Sequence, residues 1–145
     1  EGNPESARRE MPLDELDNIL KQLHEGKGDF VDPNLFLIYT ANYNEVLLYK
    51  NFEKMFDVYK KYNFRINILT NGVALTRSKV DIMVKNKDVI HGILLNIPSG
   101  DKDTWAKYVK MNPKLFDKMV SNVSYAMEQL NDFVESEKMY YDKWC

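Results

Sequence analysis

The feature that most constrains this chain is an alternation of short apolar runs with amphipathic stretches. "PNLFLIYTA", "RINILTNG" and "DVIHGILLNIPSGD" are dominated by apolar residues, the third from Val89 to Ile97. Runs of this kind read as strands covered on both faces, the habit of parallel sheets. The stretches around them carry the helical period instead. In "MPLDELDNILKQLHEGKG", Leu13, Leu16, Ile19, Leu20 and Leu23 share one stripe, with Pro12 suited to the first turn and Gly26 to the stop. "KNFEKMFDVYKKYNF" sets Phe52, Met55, Phe56 and Tyr59 at i, i+3, i+4 and i+7. "TRSKVDIMVKNK" carries Val80, Met83 and Val84 behind Thr76 as a plausible N-cap. A short helix is expected near Asp103 to Lys110. The longest stripe runs through Phe116, Met119, Val120, Val123, Met127, Leu130 and Val134, with Pro113 at its first turn.

The predicted order is helix, strand, helix, strand, helix, strand, helix, so the fold class is α/β, with parallel strands alternating with helices. Right-handed crossovers would align the three strands and open all their carboxyl ends on one edge. A chain that starts on a covering helix lacks the strand that this helix should follow. Three strands also make a narrow sheet with exposed edges. The pattern therefore reads as part of a larger barrel or sheet, whose edges are expected to pair with missing segments or with another chain. The whole of residues 1–145 reads as one partial domain. It begins with Glu1 rather than Met and ends on Cys145, so both ends are expected to be cut. The tail "SEKMYYDKWC" reads either as a frayed end or as the start of another strand.

Composition narrows the function classes. A net charge of -2 gives no global attraction to nucleic acid or anionic lipid. Lys60, Lys61, Lys85 and Lys87 sit beside helical apolar positions and read as solvated faces. No apolar stretch approaches the length of a membrane helix, and the charged start "EGNPESARRE" is no secretory signal. The one cysteine, Cys145, excludes an internal disulfide framework and fits a reducing, cytoplasmic setting. His24 and His91 lie far apart with no cysteine cluster, so no metal site is legible. His24 reads as a charge-complementing residue near a helix end, and His91, inside a strand, as a packed core histidine. No phosphate-loop, dinucleotide or nucleophile-elbow motif is present.

Ligands of parallel α/β folds sit at the carboxyl ends of the strands. The three strand ends here are "ANYNE" (Ala41 to Glu45), "TNG" (Thr70 to Gly72) and "NIPSGD" (Asn96 to Asp101), all rich in amides, hydroxyls and carboxylates. Each has a bland reading of its own. Asn71-Gly72 suits a turn, Ser99 or Asp101 suits an N-cap, and Glu45 suits a solvated loop. Their convergence on one edge favours a site.

These residues in this order resemble the core of a radical S-adenosylmethionine enzyme over Arg8 to Phe133. In that family the second strand ends in a G-G-E-P-like motif followed by "LL"; the matching positions are Asn42-Tyr43-Asn44-Glu45 and then Val46-Leu47-Leu48. "TNG" at Thr70-Asn71-Gly72, with "ALT" after it, is similar to the family's third strand end. "NIPSGDKDTW" is similar to its "SIDSGDKETY"-like fourth. "RREMPLDEL" resembles the stretch that follows the cluster loop.

The resemblance implies a partial (β/α)6 TIM-like barrel that binds S-adenosylmethionine and a [4Fe–4S] cluster. The reaction it implies is hydrogen abstraction by a 5′-deoxyadenosyl radical from an unknown substrate. It places Asn42, Tyr43, Asn44 and Glu45 at the cofactor's amino group and Asn96 and Ser99 near its ribose hydroxyls or carboxylate. Thr70 and Asn71 would line the same pocket. The chain departs from the family in three ways. Asn42 and Asn44 replace the glycines, the C-x-x-x-C-x-x-C loop is absent, its place falling upstream of Glu1 after the missing first strand, and strands five and six that would complete the partial barrel are absent. The isolated 145 residues are accordingly expected to be inactive. Two other readings compete: a degenerate, non-catalytic α/β binding or assembly module, and a small nucleotide-binding domain that reaches TNG and SGD by coincidence.

Overall fold

The computed structural model describes residues 10–39 and 45–130. Within them the order is α1 (Leu13–Glu25), β1 (Leu37–Tyr39), a 3-10 turn (Val46–Leu48), α2 (Phe52–Lys61), β2 (Arg65–Thr70), α3 (Arg77–Lys85), β3 (Ile90–Leu95), α4 (Lys102–Val109) and α5 (Leu115–Gln129). The three strands form one parallel sheet in the sequential order β1-β2-β3. Parallel neighbours joined by right-handed crossovers in sequential order bring successive helices to the same face of the sheet. The expected alternation of strands and helices is therefore present, and the strands' carboxyl ends share an edge.

Register decides which side chains meet the helices. Ile38 pairs with Ile66 and Ile66 with Ile90, while Ile68 pairs with Ile93. Ile66, Ile68, Ile90 and Ile93 lie in one buried cluster with Phe52, Met55 and Phe56 of α2 and with Val80 and Met83 of α3. Full burial of such a side chain contributes on the order of 1.5–3 kcal/mol, so this face dominates the stability of the fold. The alternate positions, Tyr39, Asn67, Leu69 and Leu94, belong to the other face by the two-residue period of a strand. A register shift at Ile66/Asn67 brings Asn67 opposite Gly92 and leaves His91 as the extra residue. The His91 ring packs edge-on against Phe36 with centroids 5.8 Å apart, so the expected packing role holds, on a half-buried rather than a core histidine.

The helix stripes are narrower than the sequence period suggests. Phe52, Met55, Phe56 and Tyr59 of α2 are all buried, as expected. In α1 only Leu20 is buried; Leu13, Leu16 and Leu23 pack beside it, and Ile19 is exposed. Pro12 stands at the N-cap rather than within the first turn, and Gly26 is the C-cap. In α5, Met119, Val123 and Ala126 are buried together with the C-cap Leu130, whereas Val120 and Met127 are exposed. Pro113 precedes α5, its carbonyl accepting from Phe116 N–H at 3.0 Å. Val134 and Cys145 lie outside the described residues.

Gly72 sets how closely α5 approaches the sheet. Its φ is 82°, and a Cβ there would lie 2.9 Å from Val123 Cγ2 and 3.1 Å from Met119 Cγ. Only glycine satisfies both the dihedral and the contact. At the opposite end of the helix, Leu130 lies beside Lys87, Ile90 and Ile93 at the start of β3. α5 thus runs back along the strands, from their carboxyl ends toward their amino ends. Asn122 Nδ2 donates to the Val73 carbonyl at 3.1 Å and ties the helix to the turn after β2.

Candidate functional site

The carboxyl end of β2 is organised around one carboxylate. Glu45 is the N-cap of the 3-10 turn, and its Oε1 accepts from Leu47 N–H at 3.3 Å. Its Oε2 accepts from Thr70 Oγ1 at 2.9 Å and from Asn71 N–H at 3.3 Å. Thr70 is buried, and its hydroxyl also accepts from Gly72 N–H at 3.1 Å. Asn71 Oδ1 accepts from Val73 N–H at 3.0 Å, which closes the turn. A carboxylate has about four lone-pair sites, so three neutral donors use most of the acceptor capacity of Glu45.

β3 brings the third strand end to the same place. Thr70 pairs with Leu95, and Asn96 N–H donates to the Thr70 carbonyl at 2.8 Å, so the backbone of the exposed Asn96 is held at the Thr70-Asn71 turn. Four of the residues singled out from the sequence, Glu45, Thr70, Asn71 and Asn96, are thereby brought together. Ser99 is half-buried and serves a local turn, its Oγ accepting from Asp101 N–H at 3.0 Å. Asp101 is the N-cap of α4, with Oδ1 accepting from Thr104 N–H at 2.9 Å. The backbone N–H of Thr104 and the Thr104 hydroxyl hold the Asp101 carboxyl below its usual range. Asn42, Tyr43 and Asn44 lie outside the described residues.

The bland and functional readings of these residues coexist. Asn71-Gly72 does form a turn, with Gly72 at positive φ, and Asp101 does cap a helix. Glu45, by contrast, is no solvated loop carboxylate, since it ties the 3-10 turn to the end of β2. Thr76 stands at the N-cap of α3, but its hydroxyl lies 3.0 Å from that of Ser78 instead of capping a backbone N–H. His24 lies in the last turn of α1, with its ring centroid 5.9 Å from that of Tyr62 and 6.5 Å from that of Phe64.

Sequence reasoning did not anticipate a cleft of about 520 Å³ at the other end of the sheet, lined by Phe36, Lys60, Phe64, Arg65 and Asp88. Lys60 pairs with Asp88 at 3.6 Å, and Arg65 Nε donates to the Asp88 carbonyl at 3.3 Å.

Among the described residues no three His, Cys, Asp or Glu side chains come together as a metal site. No helix among them is long and apolar enough to cross a membrane. Comparison with models of protein families, with curated proteins and with solved structures returned no match.

Proposed function

We propose that the carboxyl edge of the sheet is the binding lip of a radical S-adenosylmethionine enzyme core, acting on an unknown substrate. The observation that carries this reading is the convergence of Glu45, Thr70, Asn71 and Asn96 at adjacent strand ends. The sequential order β1-β2-β3 is what a segment of a (β/α)6 barrel requires, and Tyr39, Asn67, Leu69 and Leu94 would belong to its interior face.

The polar groups fit one part of the cofactor better than another. Oδ1 of Asn71 is used in the turn, but its Nδ2 hydrogens, the Asn96 amide and the Ser99 hydroxyl hydrogen can serve a ligand. Such neutral groups suit ribose hydroxyls. Glu45, already accepting three hydrogen bonds, holds the segment before it against β2 and has little acceptor capacity left for an ammonium group. When bound, S-adenosylmethionine is the source of the 5′-deoxyadenosyl radical in this chemistry. The one cysteine of residues 1–145 cannot supply the three thiolates that a [4Fe–4S] cluster needs.

A second reading, a non-catalytic α/β binding or assembly module, is favoured by the way Glu45, Thr70 and the turn satisfy one another. Two measurements separate the readings. Calorimetry of this chain with S-adenosylmethionine should give saturable binding that weakens by about fivefold or more in Asn71→Ala and Asn96→Ala, in proportion to a lost hydrogen bond. Absence of binding, together with a gene that encodes no C-x-x-x-C-x-x-C ahead of Glu1, would sink the enzyme reading.

A further inference from the structure

The cleft at the amino end of the sheet, about 520 Å³, has the size of a small-molecule site. Arg65 is the first residue of β2 and Thr70 the last, so the cleft lies about 16 Å along the strand from the carboxyl edge. Two of the residues that line it are aromatic. The exposed Phe36 ring is held edge-on by His91, with centroids 5.8 Å apart, and the buried Phe64 ring has Lys27 Nζ 4.5 Å from its centroid.

Two cations line the cleft against one anion. Arg65 Nε donates to the Asp88 carbonyl at 3.3 Å, which fixes the guanidinium plane, and its terminal nitrogens have no acceptor among the described residues. Lys60 Nζ is 3.6 Å from Asp88 Oδ1, but the two side chains are 39% and 66% exposed. A pair so open to water is weakly held and exchanges readily for a better partner. Two helices end beside the cleft, and their last carbonyls would oppose an anion if they were free. Those of Tyr59 and Lys60 accept from Phe64 N–H at 3.0 Å and Asn63 N–H at 3.1 Å, and those of Met83 and Asn86 accept from Asn86 N–H and Val89 N–H at 3.0 Å.

We propose that this cleft is a second ligand site, which takes a small carboxylate carrying a flat apolar body. The terminal nitrogens of Arg65 match the two oxygens of a carboxylate, and Lys60 supplies a second charge beside them. The apolar body lies against Phe36 and Phe64. A bare inorganic anion would leave these rings uncovered, and a neutral aromatic molecule would leave the guanidinium donors unmatched. The site is independent of the reading given to the carboxyl edge.

An NMR titration of the full chain with benzoate tests the proposal. Saturable shifts are expected at Phe36, Asn63, Phe64, Arg65 and Asp88, with Glu45 and Thr70 unmoved. Benzamide, close in shape but uncharged, should bind about tenfold or more weakly, the scale of a charge-assisted contact. Inorganic phosphate, which has charge without the ring, should also bind about tenfold or more weakly. Arg65→Gln should lose about tenfold in benzoate affinity, and Arg65→Lys should recover only part of it, because an ammonium keeps the charge without the fork. If Arg65→Gln does not melt cooperatively, Lys60→Gln should still weaken benzoate by about threefold, the scale of an exposed charge pair. Any of four results overturns the proposal: no saturable shift with benzoate, benzamide or phosphate binding as tightly, full affinity in a folded variant, or shifts centred on Glu45 and Thr70.

Discussion

Thr70 Oγ1 and Glu45 Oε2, 25 positions apart in the chain, meet at 2.9 Å and join the segment after β1 to the end of β2. The same hydroxyl accepts from Gly72 N–H, so one buried side chain satisfies partners on both sides. Thr70→Val keeps the shape and removes both hydrogen bonds, leaving the Gly72 donor without a partner. The expected loss of stability is about 1–3 kcal/mol, read as a lower urea midpoint with unchanged slope. A loss indistinguishable from zero would mean that the bond is not formed in solution.

Gly28 and Gly72 have nearly the same backbone, at φ 83° and 82°, but different surroundings. A Cβ at Gly28 meets nothing within 4 Å, whereas one at Gly72 meets Val123 and Met119. Gly28→Ala should therefore cost only the conformational strain, about 1 kcal/mol, and Gly72→Ala about 1–3 kcal/mol more through overpacking. Equal losses in thermal or urea unfolding would show that α5 yields to the methyl group.

Burial, with a smaller contribution from the nearby Tyr49, pushes the Tyr59 hydroxyl up to about 12 from its usual 10.0. A raised value means that the unfolded chain ionises first. This contribution to stability is full below pH 10.0 and is lost as pH rises toward about 12. The total at stake is on the order of 2–3 kcal/mol. Tyr59→Phe should flatten the alkaline limb of the stability profile, and an unchanged limb would assign that loss to other groups.

The Asp101 carboxyl, held below its usual 3.8 by Thr104, behaves in the opposite sense. Its contribution is present above the ordinary carboxylate range and disappears as pH falls through the lowered value. Asp101→Ala should be less stable than wild type near neutral pH, and the two should converge in acid. A gap that persists in acid would show that the cap acts through shape rather than charge.

Much of the architecture was legible because the strands and helices carry different hydrophobic periods. α2 illustrates the clearest case: its four-residue stripe is buried in full, since both the sheet and α1 pack on it. α1 and α5 bury less than their periods predict, with Ile19, Val120 and Met127 left exposed. A period marks every apolar position within reach of the stripe, while the width of the contact depends on how many elements cover the helix. The meeting of Glu45, Thr70, Asn71 and Asn96 followed from parallel topology. What each does there could not be read from residue type. Whether the Glu45 carboxylate faces a ligand or three neighbouring donors depends on backbone dihedrals of a turn that no local pattern specifies.

The sequential sheet has a kinetic consequence. Ile38 meets Ile66, and Ile66 meets Ile90, so every strand pairs with one made just before or just after it. Closing each successive loop costs a similar modest entropy, and no early segment must wait for a distant one. Such a chain can assemble stepwise as it leaves the ribosome, each unit building on the last. β2, paired on both sides, is the step on which the rest depends: until it forms, β1 and β3 have no common partner.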